Sequence, residues 1–147
     1  MKKILLLLAV VFATATISEA QIAAGKYMIG GSANFQSVSN AWQLNPSGAY
    51  FLTDDIALGG NLRIGDNGGF FTNGFFTNVG VSGRKYWSIL DNTFLYGHAG
   101  VNFGVVGGGG ADLILYPGVM YFFNERLAID GALNGIGGGG IGLSLLF

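Results

Sequence analysis

Ionic side chains are scarce in this chain of 147 residues: 10% are charged, where a soluble domain carries ~25%. Half of the residues are hydrophobic and the mean hydropathy is +0.50. That leaves too few ions to coat an ordinary water-facing surface. Cysteine is absent, which excludes disulfides, thiolate metal ligands and a cysteine-linked lipid anchor. Only one histidine is present, His98, so the usual four-ligand zinc site has no basis either. The net charge of -1 and a pI near 5.6 supply no basic field, and nucleic acid is not an expected partner. A long unbroken apolar run is also missing from the body of the chain. The uncharged stretch from Thr93 to Ala111 is interrupted by glycine and alternates with the period of a strand, which disfavours a spanning helix.

The N-terminus is different in kind. Lys2 and Lys3 precede the apolar run "ILLLLAVVF", and "SEA" at 18 to 20 supplies a small-x-small cleavage site. These are the three parts of an export signal. The run is shorter than the ~20 residues that a membrane-spanning helix needs. The expected organisation is therefore a cleaved signal peptide at 1–20 and one domain at 21–147, with the mature chain starting at Gln21.

Three segments of that domain share a pattern: "GAYFLTDDIALGG", "RKYWSILDNTFLYG" and "GVMYFFNERLAIDG". Each is an aromatic strand end, a short polar turn and a new alternating strand, which is the signature of a hairpin. Tyr50, Tyr86 and Tyr121 recur at spacings of 36 and 35 residues. The period within each unit is two residues and not 3.6, so a helical repeat is disfavoured. With a first strand at "KYMIGGSANFQS" and a last one at the C-terminus, the reading predicts eight strands: 26–37, 41–52, 56–65, 75–87, 93–105, 111–123, 126–134 and 139–147.

The two faces of these strands differ in chemistry. One carries Tyr27, Ile29, Leu44, Tyr50, Leu58, Val81, Leu113, Leu115, Ile129, Leu143, Leu145 and similar bulky groups. The other carries Asn34, Asn61, Arg63, Arg84, His98, Asn102, Asp112 and Asp130, with Ser32, Gln43 and Asn45. Between these polar groups lie small residues, among which Gly30, Gly59, Ala99, Gly118 and Gly142 are expected to face the same way. Small and polar side chains suit a crowded interior, and bulky oily ones suit lipid. Aromatic placement gives a second test. In one register Tyr27, Tyr50, Tyr86, Trp87, Tyr121, Phe123 and Phe147 fall at a lower rim, and Phe35, Trp42, Phe70, Phe71, Phe75 and Phe103 at an upper one. Eight residue steps at ~3.3 Å, tilted ~40°, separate the rims by roughly 20 Å, close to the ~25 Å apolar band of a membrane barrel. Closing the sheet would satisfy the backbone groups of both edge strands, as hydrocarbon requires.

With its hairpin repeats, girdles and final "LSLLF", the chain resembles the small eight-stranded bacterial outer-membrane β-barrel proteins of the OmpX/OmpW-like kind. The likeness is clearest in "NPSGAYFLTDDIALGGNLRIG" and "YPGVMYFFNERLAIDG", where a proline stands four residues before an aromatic turn. It implies an all-β, antiparallel, up-and-down transmembrane barrel in the bacterial outer membrane, both termini in the periplasm, acting as a monomer. It further implies outer-membrane lipids as surroundings, and the barrel-assembly machinery and periplasmic chaperones as partners during biogenesis. Leu143, Leu145 and Phe147 match the C-terminal assembly signal of such proteins. Unlike many members, this chain has short glycine-rich candidate upper loops ("SVSN", "GDNGGF", "VVGGGGA", "NGIGGG"). Roles that depend on long polar loops do not carry over.

Catalysis at His98 would need a nucleophile and an orienting acid within reach, and an inward histidine in a packed barrel is ordinarily a polar filler. Arg63, Arg84, Asp112 and Asp130 are expected to pair in an ion network that plugs the lumen, with a selectivity filter or a polar ligand site as the functional alternative. Eight strands enclose room for side chains and not a water channel. The glycine runs at 107–110 and 137–140 lack the Lys-Ser/Thr of a phosphate loop. The expected function is a non-enzymatic barrel without cofactor, structural or surface-interacting; the alternative is a narrow conduit or binding barrel for small apolar molecules. The water-soluble rival is a secreted β-sandwich, which would bury the oily face and solvate the amides.

Overall fold

Alternation at period two, together with β-branched and aromatic residues, commits most of the chain to strands. The computed structural model describes residues 22–36, 41–66, 74–107, 110–133 and 139–147. Eight strands follow one another: β1 (Tyr27–Gln36), β2 (Ala41–Phe51), β3 (Ile56–Asp66), β4 (Phe75–Leu90), β5 (Thr93–Val106), β6 (Ala111–Phe122), β7 (Leu127–Leu133) and β8 (Gly139–Leu146). Each pairs antiparallel with the next, and β8 pairs with β1 to close an up-and-down barrel. Among the described residues no helix is long and apolar enough to cross a membrane. The predicted strand ends agree with the observed ones to within one residue, except that β4 runs on to Leu90. The predicted signal segment lies outside the described residues, as do Phe70, Phe71 and all or part of each upper loop.

Local chemistry explains the three lower turns. Thr53 Oγ1 accepts the Ile56 N–H at 3.0 Å and donates to Asp55 Oδ1 at 2.7 Å. Asn124 Oδ1 accepts the N–H groups of Arg126 and Leu127 at 2.9 and 2.8 Å. Both are side-chain caps of the kind that Thr and Asn favour in turns. Between β4 and β5 only Asp91 and Asn92 remain, because Leu90 pairs with Thr93. A bulge between Ser88 and Leu90 then shifts the register of this hairpin by one residue. At the other end Gly107 takes φ 83°, a conformation that suits glycine.

The outside of the barrel is oily. Among the described residues 27 large hydrophobic side chains are exposed, against 12 hydrophobic ones that are buried. Leu113 and Leu115 are 87% and 82% exposed. Such a surface is untenable in water, where each Leu-sized side chain forgoes roughly 1.5–3 kcal/mol by staying exposed. It is a surface for acyl chains, and the sandwich arrangement, with Leu115 and Leu143 packed at the centre, is ruled out. Tyr27, Tyr50, Trp87, Tyr121 and Phe147 lie exposed toward the lower end. Tyr27 and Tyr50, register partners, have ring centroids 4.9 Å apart. Tyr86 departs from the expected girdle: it points inward and is 2% exposed, because it shares the parity of Arg84 and not that of Trp87. Ala99 departs in the opposite sense, since it is exposed and its neighbour His98 is buried.

The chain ends are fastened to each other. Phe147 N donates to Tyr27 O at 2.8 Å and Tyr27 N to Phe147 O at 3.1 Å, so the terminal phenylalanine completes the β1–β8 seam. Gly25 N donates to Phe51 O at 2.8 Å and Ala24 N to Asp54 Oδ1 at 2.9 Å. These bonds hold the segment before β1 against the lower turn, and its Ile22 is buried in the core.

Candidate functional site

Side chains that point into a barrel meet in rows across neighbouring strands, so the register decides which polar groups touch. One row runs Phe51, Ala57, Arg84, His98 and Tyr116, each the register partner of the one before. Nearer the upper end, a second row runs Ser47, Asn61, Gly80, Asn102 and Asp112. A third, on the far wall, joins Met120, Asp130, Gly142, Ser32 and Asn45.

From the Phe51 end of the first row downward the lumen is filled. Phe51, Tyr86, Phe94, Tyr96, Met120 and Phe122 are buried there with Met28, Ala128, Leu146 and Ile22. Their rings interlock: Phe51 and Tyr86 have centroids 5.5 Å apart, Tyr86 and Tyr96 5.7 Å, and Phe94 meets Phe122 edge-on at 5.7 Å. These separations are typical of favourable aromatic pairs. Met120 and Phe51 are 0% exposed, so this is a packed apolar plug across the lower half of the barrel.

Above the plug the same strands enclose a polar chamber of about 290 Å³. Arg84 Nε donates to His98 Nδ1 at 3.0 Å, and the His98 ring lies over Tyr116 with centroids 4.5 Å apart. Arginine has only donors, so Nδ1 carries no proton and the imidazole proton resides on Nε2. Asn61 Nδ2 donates to Asn102 Oδ1 at 3.1 Å. A Cβ on Gly80 would run into both amide oxygens, so glycine at that position makes room for the pair. Asp130 accepts from Tyr96 Oη and Ser144 Oγ, both at 3.5 Å, and Gly142 leaves space for its carboxylate. The Arg84 guanidinium sits 5.2 Å from the centroid of the Tyr96 ring and that of Arg63 5.1 Å from Phe76, positions that suit cation–π attraction.

The structure therefore brings Asn61, Arg63, Arg84, His98, Asn102, Asp112 and Asp130 to one chamber. Asn34 is buried on β1, and is not among the residues that line it. The expected ion-pair network does not form: none of Arg63, Arg84, Asp112 and Asp130 is in a salt bridge with another. Arg84 is engaged by His98 and an aromatic ring instead, and Asp130 by hydroxyl groups. Tyr116 and the plug were absent from the expected site; the parity that Tyr116 shares with Asp112, and Phe94 and Tyr96 with His98, carries the information. Leu143 and Leu145 are exposed on the outer face of β8, and Phe147, the residue after its end, is exposed as well. Among the described residues no three His, Asp or Glu side chains come together as a metal site.

No protein-family model matches the chain, and none of the curated proteins matches it. Solved structures do. A de novo designed transmembrane β-barrel superposes with a TM-score of 0.67 at 16% identity, over 86% of this chain and 99% of the other. The Yersinia pestis outer membrane protein Ail, solved in a phospholipid bilayer nanodisc, gives 0.56 at 17% identity over 84% and 99%. The N-terminal β-barrel domain of Pseudomonas aeruginosa OprF gives 0.57 at 18% over 84% and 98%. The chain has the fold of the small outer-membrane barrels. At these identities the likeness speaks to architecture, and function must be argued from the site itself.

Proposed function

We propose that this chain is a small integral protein of the bacterial outer membrane, a monomeric barrel with a structural or surface-interaction role and no catalytic activity. The observation that carries this reading is the opposition of its two faces: a continuous oily exterior around a closed sheet, and a lower lumen packed solid. The exterior fits outer-membrane lipid, and the plug opposes passage from one end to the other. An apolar molecule also has little to gain in a chamber lined by arginine, aspartate and amides, which counts against the conduit for such molecules. Catalysis at His98 finds no support in its neighbours, because the group on Nδ1 is a guanidinium and not an orienting carboxylate.

Within this reading residues 1–20 form the export signal that is removed, and 21–147 form the barrel. The exposed Leu143 and Leu145 of β8 and the terminal Phe147 suit recognition by the barrel-assembly machinery, after periplasmic chaperones have carried the chain across. The inward polar groups hold the lumen open above the plug. The test has two arms. Unboiled protein from outer-membrane fractions should migrate differently from boiled protein on an SDS gel, and the purified barrel should give no reproducible unit conductance in planar bilayers. Migration that boiling never changes would count against a folded barrel, and a steady conductance step against the structural role.

A further inference from the structure

We propose that the chamber above the plug is a binding site for a small, neutral, polyhydroxylated molecule of about monosaccharide size. The proposal goes beyond a structural role and does not require one. It starts from atoms that the protein buries and leaves unpartnered. Arg63 Nε, Arg84 Nη1 and His98 Nε2 have no acceptor, and Asn45 Oδ1 and Asn61 Oδ1 have no donor. His98 is 4% exposed, and all five residues line the same chamber. Buried polar groups are almost always satisfied, and a group of exceptions in one place points to something that completes them.

The mixture of the unmet groups selects the chemistry. A carboxylate brings acceptors alone and would leave the amide oxygens unmet, and a phosphate, although its P–OH can donate, adds negative charge. An ammonium brings donors alone and would face two guanidinium groups. A hydroxyl both donates and accepts, so a ring of hydroxyls can answer the His98 and Arg84 donors in one row and the Asn61 oxygen in the row above it. Charge leads to the same choice. The chamber wall carries Arg63 and Arg84 against Asp112 and Asp130, which sum to zero. An ion would therefore add net charge to a low-dielectric enclosure whose own charges already balance.

Shape agrees as well. The plug closes the chamber from below, and the wall reaches the exposed Asp112 near the upper end of β6. Its volume, about 290 Å³, is at the small end of ligand pockets, which run from ~300 to ~1,000 Å³. The Tyr116 ring, with His98 over it, forms part of the wall and adds apolar surface to it.

The experiment is an amide-resolved NMR titration of the full barrel, purified from membranes in detergent, with glucose and with myo-inositol as probes and sodium acetate and inorganic phosphate as comparators. The expected result is a saturable shift of the Asn61 and Asn102 side-chain amides and of the Gly80 backbone amide with the polyols. The comparators should leave these signals in place. Asn61→Leu should weaken polyol binding by about tenfold or more, with the folded barrel verified by its unboiled gel mobility. Should that variant not fold, Asn45→Ala reads the second acceptor in the same way. Spectra that stay unchanged at tens of millimolar polyol are what a merely hydrated lumen gives, and they overturn the proposal. So does a saturable response to acetate or phosphate in place of the polyols, or polyol shifts confined to the outer surface.

Discussion

The two halves of the lumen are made by the same strands and hold opposite chemistries. Along β5 the inward positions read Phe94 and Tyr96, then His98 and Asn102. Along β6 they read Phe122 and Met120, then Tyr116 and Asp112, and β2 passes from Phe51 to Ser47 and Asn45. In lipid the outer wall gains little from packing, because acyl chains are as apolar as leucine. Tight side-chain packing inside the barrel must therefore come from the plug. The chamber, by contrast, keeps buried polar atoms unmatched, which costs stability. One half fastens the barrel, and the other spends stability on a polar enclosure.

If that division is right, the largest mutational effects belong to the lower half. Phe51→Ala or Phe122→Ala should remove about 3–5 kcal/mol, the usual range for a fully buried aromatic, because the interlocked rings cannot collapse into the gap. Urea unfolding in detergent micelles measures this. A loss no greater than that of a chamber variant would break the comparison.

The hairpin from β4 to β5 shows where the sequence was readable and where it was not. Alternation placed Arg84 and His98 on the inner face, and the bulky outer set, Leu113 and Leu115 above all, was equally legible, since period two is an intrinsic property of a strand. Their contact was not legible. The pairing of Leu90 with Thr93, continued without interruption, would set Arg84 opposite Ala99; the bulge between Ser88 and Leu90 moves it to His98. A bulge depends on tertiary twist and leaves little trace in composition. The plug is illegible in the sequence for another reason. In the lower half both faces are apolar, so Tyr86 beside Trp87 offers no contrast from which to tell inside from outside. Ile22 lies outside any strand, where no period applies.

The Arg84 contact offers a test in the upper half. Arg84→Met keeps the aliphatic bulk over Tyr96 but leaves His98 Nδ1 without its donor and Asp130 with one fewer cation in the chamber. A loss of about 1.5–3 kcal/mol is expected, the range for a hydrogen bond to a charged group. Arg84→Lys cannot reproduce the planar guanidinium and should restore only part of it. Full recovery with lysine would mean that charge alone matters there, and that the geometry of the chamber is incidental. Gly80→Ala probes the row above. Its methyl group meets the Asn61 and Asn102 oxygens, so overpacking of about 1–3 kcal/mol is expected, together with loss of the amide pair from the NMR spectrum.

The smallest effect belongs to a charge pair that touches neither half. Lys85 donates to Asp55 at the lower rim, where both side chains are about half-exposed. The hydrogen bond from Lys85, followed by that from Thr53, holds the Asp55 carboxyl below its ordinary value of 3.8. A carboxyl whose folded value is depressed contributes stability above its unfolded value and loses that contribution as pH falls through the folded one. The pair should therefore be indifferent to pH across the neutral range and weaken only under acid conditions below about pH 4. Asp55→Asn should flatten that acid limb and leave neutral stability almost unchanged, as is usual for exposed ion pairs. Unfolding midpoints of the two proteins, compared at neutral and acid pH, check this. A large neutral-pH loss would mean that the rim, and not the aromatic plug beside it, fastens the lower end.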